Sequence, residues 1–244
     1  MMYRPGLSRV LGLENKAVLS FVGVGGKTSA MFLVAEENVG KKVFLTTTAK
    51  IYIPKNHKLI LGDSAAFDYE AQRGVNVIGN PDNNISKIKS LSFNILEKIY
   101  PRYDLTLIEA DGSKNLPLKG WGENEPVIFK ATTHTIGIVT LNGLGKVVSF
   151  GNVHRPENFI QNTGAYLNAP VTAKHIALMV TGQYGMFKNS SGKRILIINQ
   201  VEDLDSFKSA NILKKYILES GFNIDMIITG SAKQNKWIVL YKAA

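Results

Sequence analysis

Residues 19–28 read LSFVGVGGKT, an apolar run that breaks into a glycine-rich turn and ends in Lys-Thr. This order predicts a buried strand, a tight turn and the start of a helix, the arrangement of a phosphate-binding loop. Residues without a Cβ allow several backbone N–H groups to point at one anion. We therefore predict that a nucleoside triphosphate, ATP or GTP, is bound by Gly23, Val24, Gly25, Gly26, Lys27 and Thr28.

Two side chains of this loop have predicted chemical roles. Lys27 would place a mobile positive charge on the outer phosphates, and Thr28 would bring a hydroxyl to a Mg²⁺ ion. The usual loop has four residues between its first glycine and Gly-Lys, and here that first position is Phe21. The shorter pattern G-x-x-G-K-T fits, and it is similar to the loop of the ATP-dependent amide ligases that build cell-wall precursors. The structural alternative is a strand-to-helix turn with an incidental lysine.

Two carboxylates follow another predicted strand, at residues 105–110. Glu109 and Asp111 are expected where this buried strand emerges beside the phosphates. Because Mg²⁺ prefers oxygen ligands and keeps part of its water shell, one or two carboxylates are enough to hold it. We predict Thr28, Glu109 and Asp111 as metal ligands, and Lys27 with the two carboxylates as the catalytic set. The alternative is that Asp111 only reverses the chain with Gly112.

The composition narrows the class of protein. The chain has 244 residues, no cysteine and a formal net charge of +10, so disulfides and thiolate metal sites are excluded. No apolar run approaches the roughly 20 residues of a transmembrane helix, and no export signal follows Met1, so we expect a cytoplasmic protein without membrane contact. Lysine and arginine are scattered along the chain, which favours small anions over nucleic acids as ligands.

Apolar runs alternate with helical patterns, which predicts a P-loop NTPase-like α/β fold with a mostly parallel sheet and helices on both faces. The predicted strands are residues 17–22, 42–47, 75–78, 105–110, 135–141, 194–199, 225–229 and 237–241, and the predicted helices are residues 86–100 and 206–220. The segment GSAKQNK between the last two strands predicts a hairpin and an antiparallel C-terminal edge. We expect a single domain over residues 1–244, with residues 117–160 forming loops or a subdomain over the site.

The second predicted strand ends in three threonines and a lysine. Thr47, Thr48 and Lys50 lie at the sheet edge where ligands bind in open α/β folds, and they are candidate substrate contacts. Threonine hydroxyls also bond nearby backbone, so a structural role is an equal alternative for them.

Residues 199–203, NQVED, resemble the N-K-x-D loop that reads guanine. Asn199 and Glu202 are therefore predicted to contact the nucleotide. Gln200 replaces the lysine of that pattern and Glu202 the aspartate, which predicts modest selectivity between GTP and ATP. A polar strand-to-helix loop is the alternative.

Residues 154–157, HRPE, combine an imidazole, a guanidinium and a helix start signal. Pro156 and Glu157 are typical of a first helical turn. His154 and Arg155 are candidate contacts for a substrate or a phosphate.

These motifs occur in an order that resembles the YqeC family, the selenium-dependent hydroxylase accessory proteins. The resemblance rests on GVGGKT, LTTTAKIYIP, IEADGSKNLPLKG, ENEPVI, LNGLGK, VHRPE and NQVED, between residues 18 and 203. It implies a P-loop protein that helps to mature molybdenum hydroxylases, with a molybdopterin-type cofactor or a selenium species as second substrate. It places several candidate residues on family motifs: Glu109, Asp111, Ser113, Lys114, His154 and Arg155. The family usually has aspartate where this chain has Asn142.

Three functions are consistent with these patterns. The first is an accessory enzyme that hydrolyses a nucleoside triphosphate or transfers its phosphoryl group, with a molybdenum hydroxylase as partner. The second is an ATP-dependent amide-ligase-like enzyme, although the chain has little room for the extra domains of those ligases. The third is a nucleotide-dependent binding switch or chaperone with negligible turnover.

Overall fold

The computed structural model describes residues 5–54 and 57–243, and its centre is one large mixed sheet. Eleven strands form this sheet, in the order β13-β12-β11-β9-β1-β7-β2-β5-β6-β3, with β4 beside β5. The strands, including a separate pair β8 and β10, are β1 (Ala17–Gly23), β2 (Lys42–Thr47), β3 (Lys50–Tyr52), β4 (Lys58–Leu61), β5 (Gly74–Pro81), β6 (Lys87–Lys89), β7 (Leu105–Glu109), β8 (Leu118–Lys119), β9 (His134–Thr140), β10 (Val153–His154), β11 (Lys193–Asn199), β12 (Met226–Ser231) and β13 (Lys236–Lys242).

The strand that leads into the glycine-rich loop lies in the middle of the sheet. β1 pairs in parallel with β7 on one side and with β9 on the other. β13 runs antiparallel to β12 and forms the predicted hairpin edge. The predicted α/β fold, with a mostly parallel sheet and an antiparallel C-terminal edge, is confirmed. Because the carboxyl ends of parallel strands meet at one edge, the loops after β1, β7, β9 and β11 are neighbours.

Helices cover both faces of the sheet. They are α1 (Leu7–Leu11), α2 (Lys27–Glu36), α3 (Asp63–Asp68), α4 (Phe93–Ile99), α5 (Pro156–Thr163), α6 (Ala173–Thr181) and α7 (Leu204–Glu219). Side chains alternate along β1, so Leu19 and Phe21 pack with α1 and α2 while Val22 packs with α5, α6 and α7. Every residue of β1 is buried, as expected for a central parallel strand.

The helix predicted over residues 86–100 is wrong in its first half. Residues 87–89 form β6, and α4 begins only at Phe93. Ile88 pairs with Ile51 of β3 and packs in the core on the α2 face, whereas Leu91 and Leu96 pack in another cluster with α3 and α4. Apolar residues that share a helical period in sequence are therefore divided between two cores, because strand pairing outweighs local periodicity here.

Residues 117–160, expected to form loops or a subdomain over the site, contribute one strand to the main sheet and two strands to a separate small sheet. β8 and β10 form a small parallel pair beside the carboxyl edge of the main sheet, and β9 is a central strand of that sheet. Helix α5 begins at Pro156, as the start signals predict. Across the part of the chain that the structure describes, no helix is long and apolar enough to cross a membrane.

Candidate functional site

The turn between β1 and α2 is the floor of the site. Gly23 and Gly26 have φ angles of 105° and 113°, in the left-handed region that favours glycine. Neighbours also crowd these glycines, since a Cβ on Gly23 would lie 2.1 Å from the Ile138 carbonyl oxygen and one on Gly26 would lie 2.4 Å from Asn199 Nδ2. The loop therefore needs glycine both for its backbone shape and for its packing against the ends of β9 and β11.

Lys27 begins α2 and folds back into the loop. Its Nζ donates to the Gly23 carbonyl at 2.7 Å and lies 3.3 Å from Asp111 Oδ1 and 3.8 Å from Glu109 Oε1. The side chain is only 4% exposed. The Lys27 ammonium group therefore lies within the curve of the glycine-rich loop, between the carboxylates of Asp111 and Glu109.

Thr28 and Glu109 form the second contact across the site. The Thr28 hydroxyl donates to Glu109 Oε2 at 2.6 Å. Burial raises the pKa of Glu109, while Lys27 and the Thr28 hydroxyl oppose this rise. Both residues supply hard oxygen atoms at the end of β7 and the start of α2, where a magnesium ion beside phosphates would need them.

Asp111 lies deeper, and its two oxygens are occupied by protein donors. It accepts the Gly23 N–H at 3.1 and 3.2 Å, the Lys119 ammonium at 3.0 Å and the Trp121 indole N–H at 2.7 Å. Burial acts to raise its pKa, but Lys27 and Lys119 hold that pKa below its ordinary value. Asp111 therefore orients the first residue of the loop, and its geometry does not favour the predicted role of metal ligand.

A chain of alternating charges continues from Asp111 toward β10. Lys119 has no exposed surface and also contacts Glu125 Oε2 at 3.1 Å. Glu125 in turn binds Arg155 through both guanidinium nitrogens, with one of the two contacts at 3.2 Å. Burial together with Arg155 and Lys119 lowers the pKa of His154 to about 4, so its imidazole is neutral at neutral pH. A continuous series of ion pairs therefore connects the glycine-rich loop with the HRPE segment.

The loop after β11 braces the glycine-rich loop. Asn199 Nδ2 donates to the Gly25 carbonyl at 2.8 Å, and its Oδ1 accepts the Ala232 N–H at 3.0 Å. Gln200 Oε1 accepts hydrogen bonds from Thr140 and from Asn142 Nδ2. Asn142 is therefore part of the same wall.

One pocket of about 1320 Å³ joins most of the predicted residues. Candidates that line it include Gly25, Gly26, Lys27, Thr28, Lys50, Glu109, Ser113, Lys114, His154 and Arg155. The hydroxyls of Thr47 and Thr48 instead donate to the carbonyls of Glu109 and Val127, at 2.8 and 2.7 Å. Their geometry favours the backbone role that was the alternative for them.

Sequence reasoning missed four residues that organise the site. Lys119 and Glu125 lie in the motif segments IEADGSKNLPLKG and ENEPVI, but their side chains were not singled out, and Trp121 between these segments is predicted from the sequence only as a packing residue. Ser231, in the segment predicted as a hairpin, donates to Glu202 at 2.7 Å. A lysine between two acidic segments was the available signal for Lys119, whereas nothing local pointed to Ser231.

Comparison with known proteins gives two matches. The family model described as YqeC protein matches residues 19–157, which include the glycine-rich loop, the acidic segment and the HRPE segment. A protein of Escherichia coli (strain K12) named "Uncharacterized protein YqeC" is 30% identical over 213 residues, which are 80% of this chain and 81% of that protein.

Proposed function

The chain belongs to the YqeC family, and on that premise we propose that it binds a nucleoside triphosphate, ATP or GTP, with Mg²⁺. We further propose that it hydrolyses the triphosphate or transfers its phosphoryl group while a selenium-dependent molybdenum hydroxylase matures. The observation that carries the nucleotide part is the position of Lys27. Its ammonium lies 2.7 Å from the Gly23 carbonyl, inside a glycine loop whose backbone is shaped for an anion.

The residues present fit a magnesium ion. Thr28 Oγ1 and Glu109 Oε2 are 2.6 Å apart at the mouth of the loop, and both are hard oxygen ligands. Among the described residues no cluster of three or more acidic, histidine or cysteine side chains could form an all-protein metal cage. That matches Mg²⁺, which is usually held by one or two protein groups, phosphate oxygens and water. When bound, the ion would shield the charge of the phosphates.

The chain's own residues would then bind and orient the phosphates. Backbone N–H groups of the loop and the N-terminus of α2 attract the anion. Lys27 would exchange its carbonyl partner for phosphate oxygens, which carry more negative charge and attract the ammonium more strongly. Because phosphoryl transfer needs positioning and charge stabilisation more than covalent chemistry, these groups are sufficient for it.

The pocket has room for a second, anionic ligand. Its volume of about 1320 Å³ exceeds the roughly 300–1,000 Å³ of an ordinary ligand pocket. The part of the pocket outside the glycine-rich loop is lined by the cationic side chains of Lys50, Lys87, Lys114, Lys146 and Arg155, and the neutral but polar His154 lies with them. The family implies a molybdopterin-type cofactor or a selenium species for this part, and an anionic group would suit its charge.

Binding is tested by thermal denaturation with ATP or GTP, with and without Mg²⁺. Loss of a charged hydrogen bond costs about 1.5–3 kcal/mol, so Lys27→Ala should lower the affinity for the triphosphate by about ten- to a hundredfold. Glu109→Gln should weaken binding only when Mg²⁺ is present. Lys130→Ala, at an exposed surface ion pair, is the matched control. An unchanged nucleotide-dependent shift in Lys27→Ala would remove the loop assignment.

Turnover and biological role need separate measurements. Phosphate release at steady state, with and without a partner hydroxylase, distinguishes an enzyme from a binding switch. In a host that makes such a hydroxylase, deletion should leave its polypeptide present but its activity low, and a Lys27→Ala copy should fail to restore that activity. Full hydroxylase activity in the deletion strain would refute the accessory role and leave the nucleotide site untouched.

A further inference from the structure

Two segments between β9 and α6 pair with each other outside the main sheet. Val147 forms an antiparallel bridge with Pro170, and the Val148 N–H donates to the Ala169 carbonyl at 2.9 Å. Val148 and Val171 are almost fully buried and pack in the core with residues of α5, α6 and α7. The backbone of the two segments is therefore held by hydrogen bonds and by a buried inner side.

Other side chains of the same two segments are large, apolar and exposed. We call them the apolar surface, and they are Leu144, Val147, Phe150, Tyr166 and Leu167. Phe150 and Tyr166 are 70% and 78% exposed. Antiparallel pairing at Val148 brings these two aromatic residues to the same end of the pair. Single exposed apolar residues are ordinary, but a cluster on a fixed backbone marks an interaction site.

The apolar surface lies beside the pocket described above. Lys146 lines this pocket, and the chain returns to the pocket at His154 and Arg155. Val147 and Phe150 lie in the short stretch between these lining residues. A molecule bound to the apolar surface would therefore also lie next to the cationic part of the pocket.

The charge of this region defines the kind of partner. Residues 126–201 contain seven lysine and arginine residues but one acidic residue, Glu157. An acidic protein surface is attracted by this excess, whereas a second copy of the chain, with its net charge of +10, is repelled. Anionic membranes attract clusters of about four to eight basic residues, and segments 144–150 and 166–167 contain a single one, Lys146. The charges therefore favour an acidic protein over the other two.

We propose that the apolar surface docks the protein that exchanges the second ligand with this pocket, through a partner face with an apolar centre and an acidic rim. This inference rests on the accessory function proposed above, in which that protein is the maturing hydroxylase. Aromatic residues at the centre and charged residues at the rim are the usual arrangement of protein interfaces. Docking beside the pocket lets the ligand pass between the two proteins without release into solvent.

The direct test measures binding of the full chain to the hydroxylase polypeptide purified from a strain that lacks this protein. Phe150→Asp should lower the affinity at least about tenfold, because it removes an exposed aromatic ring and places a negative charge against an acidic rim. The affinity of the wild-type chain should also fall as the salt concentration rises. Val39→Asp is the matched control, since Val39 is exposed between α2 and β2, at the opposite edge of the sheet.

Complementation of the deletion strain separates this inference from the proposed function. A wild-type copy should restore hydroxylase activity, and a Phe150→Asp copy should fail although its nucleotide-dependent stabilisation matches that of the wild-type chain. Full activity with the Phe150→Asp copy, or unchanged affinity for the hydroxylase, would overturn the docking surface and leave the proposed function in place. Full activity in the deletion strain without any copy would overturn both the accessory role and this inference.

The two other occupants give different results. Co-sedimentation of the wild-type chain with phosphatidylglycerol vesicles, lost in Phe150→Asp, would assign the apolar surface to a membrane. A wild-type dimer in sedimentation velocity that dissociates in Phe150→Asp would assign it to a second copy of the chain. Either result would overturn docking of an acidic partner protein at this surface.

Discussion

Lys119 shows how one residue can organise a site without touching its pocket. It lies between Asp111 and Glu125, at 3.0 and 3.1 Å, with its side chain fully buried. A further 2.6 Å contact with the Gly112 carbonyl satisfies another of its protons. Each of these two carboxylates also accepts a hydrogen bond from a second group: Asp111 from the Gly23 N–H, and Glu125 from Arg155. The positions of the loop and of the HRPE segment therefore depend on a single buried ammonium group.

We expect Lys119→Met to destabilise the protein by about 3–5 kcal/mol, because it leaves two carboxylates without the cation that they share. Methionine preserves most of the volume, so lost packing contributes little. Urea denaturation at neutral pH measures the change, and Lys130→Met is the exposed control. A loss below about 1 kcal/mol would show that the two carboxylates are compensated in another way.

At the scale of elements, the β1–α2 connection has little freedom to vary in sequence. Gly23 ends β1 with a φ of 105°, and a Cβ there would lie 2.1 Å from the Ile138 carbonyl oxygen. The Val24 N–H donates to that same carbonyl at 2.8 Å. The Ile138 carbonyl of β9 therefore fixes the position of the glycine-rich loop. Any shift of the loop would break the hydrogen bond between the Val24 N–H and this carbonyl.

Gly23→Ala should destabilise the protein by at least about 1–3 kcal/mol, because it combines an unfavourable φ with a backbone clash. It should also abolish triphosphate binding. Gly40→Ala is the matched control, since a Cβ added to Gly40 would have no neighbouring atom within 4 Å and the φ of this residue is not positive. At such a site alanine is neutral or stabilises by up to about 1 kcal/mol. Equal stabilities of the two variants in urea denaturation would contradict this account of the loop.

At the scale of the whole molecule, nucleotide binding should stabilise segments that are far apart in sequence. Asn199 connects the loop after β1 with the turn after β12. Ligand binding to the native state raises the free energy of opening for the segments that contact the ligand. The glycine loop, residues 199–203 and residues 231–233 should therefore respond together.

Hydrogen exchange followed by mass spectrometry tests this coupling. With Mg²⁺ and GTP at saturation, exchange should slow in peptides that cover residues 23–28, 199–203 and 231–233. Peptides from α3 provide the internal control, since none of its residues lines the pocket. Protection confined to residues 23–28 would contradict the coupling through Asn199.

Several strands, the glycine-rich loop and the helix that follows it could be predicted from the sequence alone. The order of apolar run, glycines and Lys-Thr is local, so it predicted β1, the loop and α2. The buried runs and the terminal hairpin likewise predicted the central strands and the antiparallel edge. Glu109 and Asn199 were placed correctly at strand ends because an apolar run followed by a polar residue marks the carboxyl end of a buried strand.

The tertiary structure decided which of these side chains meet. Asp111 is satisfied by Lys119 and Trp121, and Glu202 by Ser231, 29 residues away in sequence. Ile88 lies in a strand because β3 and β5 are present to pair with it. Propensity and periodicity report only on neighbours along the chain, whereas these partners are brought together by the order of strands in the sheet. The free energy of such long-range contacts appears only when the whole core has formed, and no local pattern contains it.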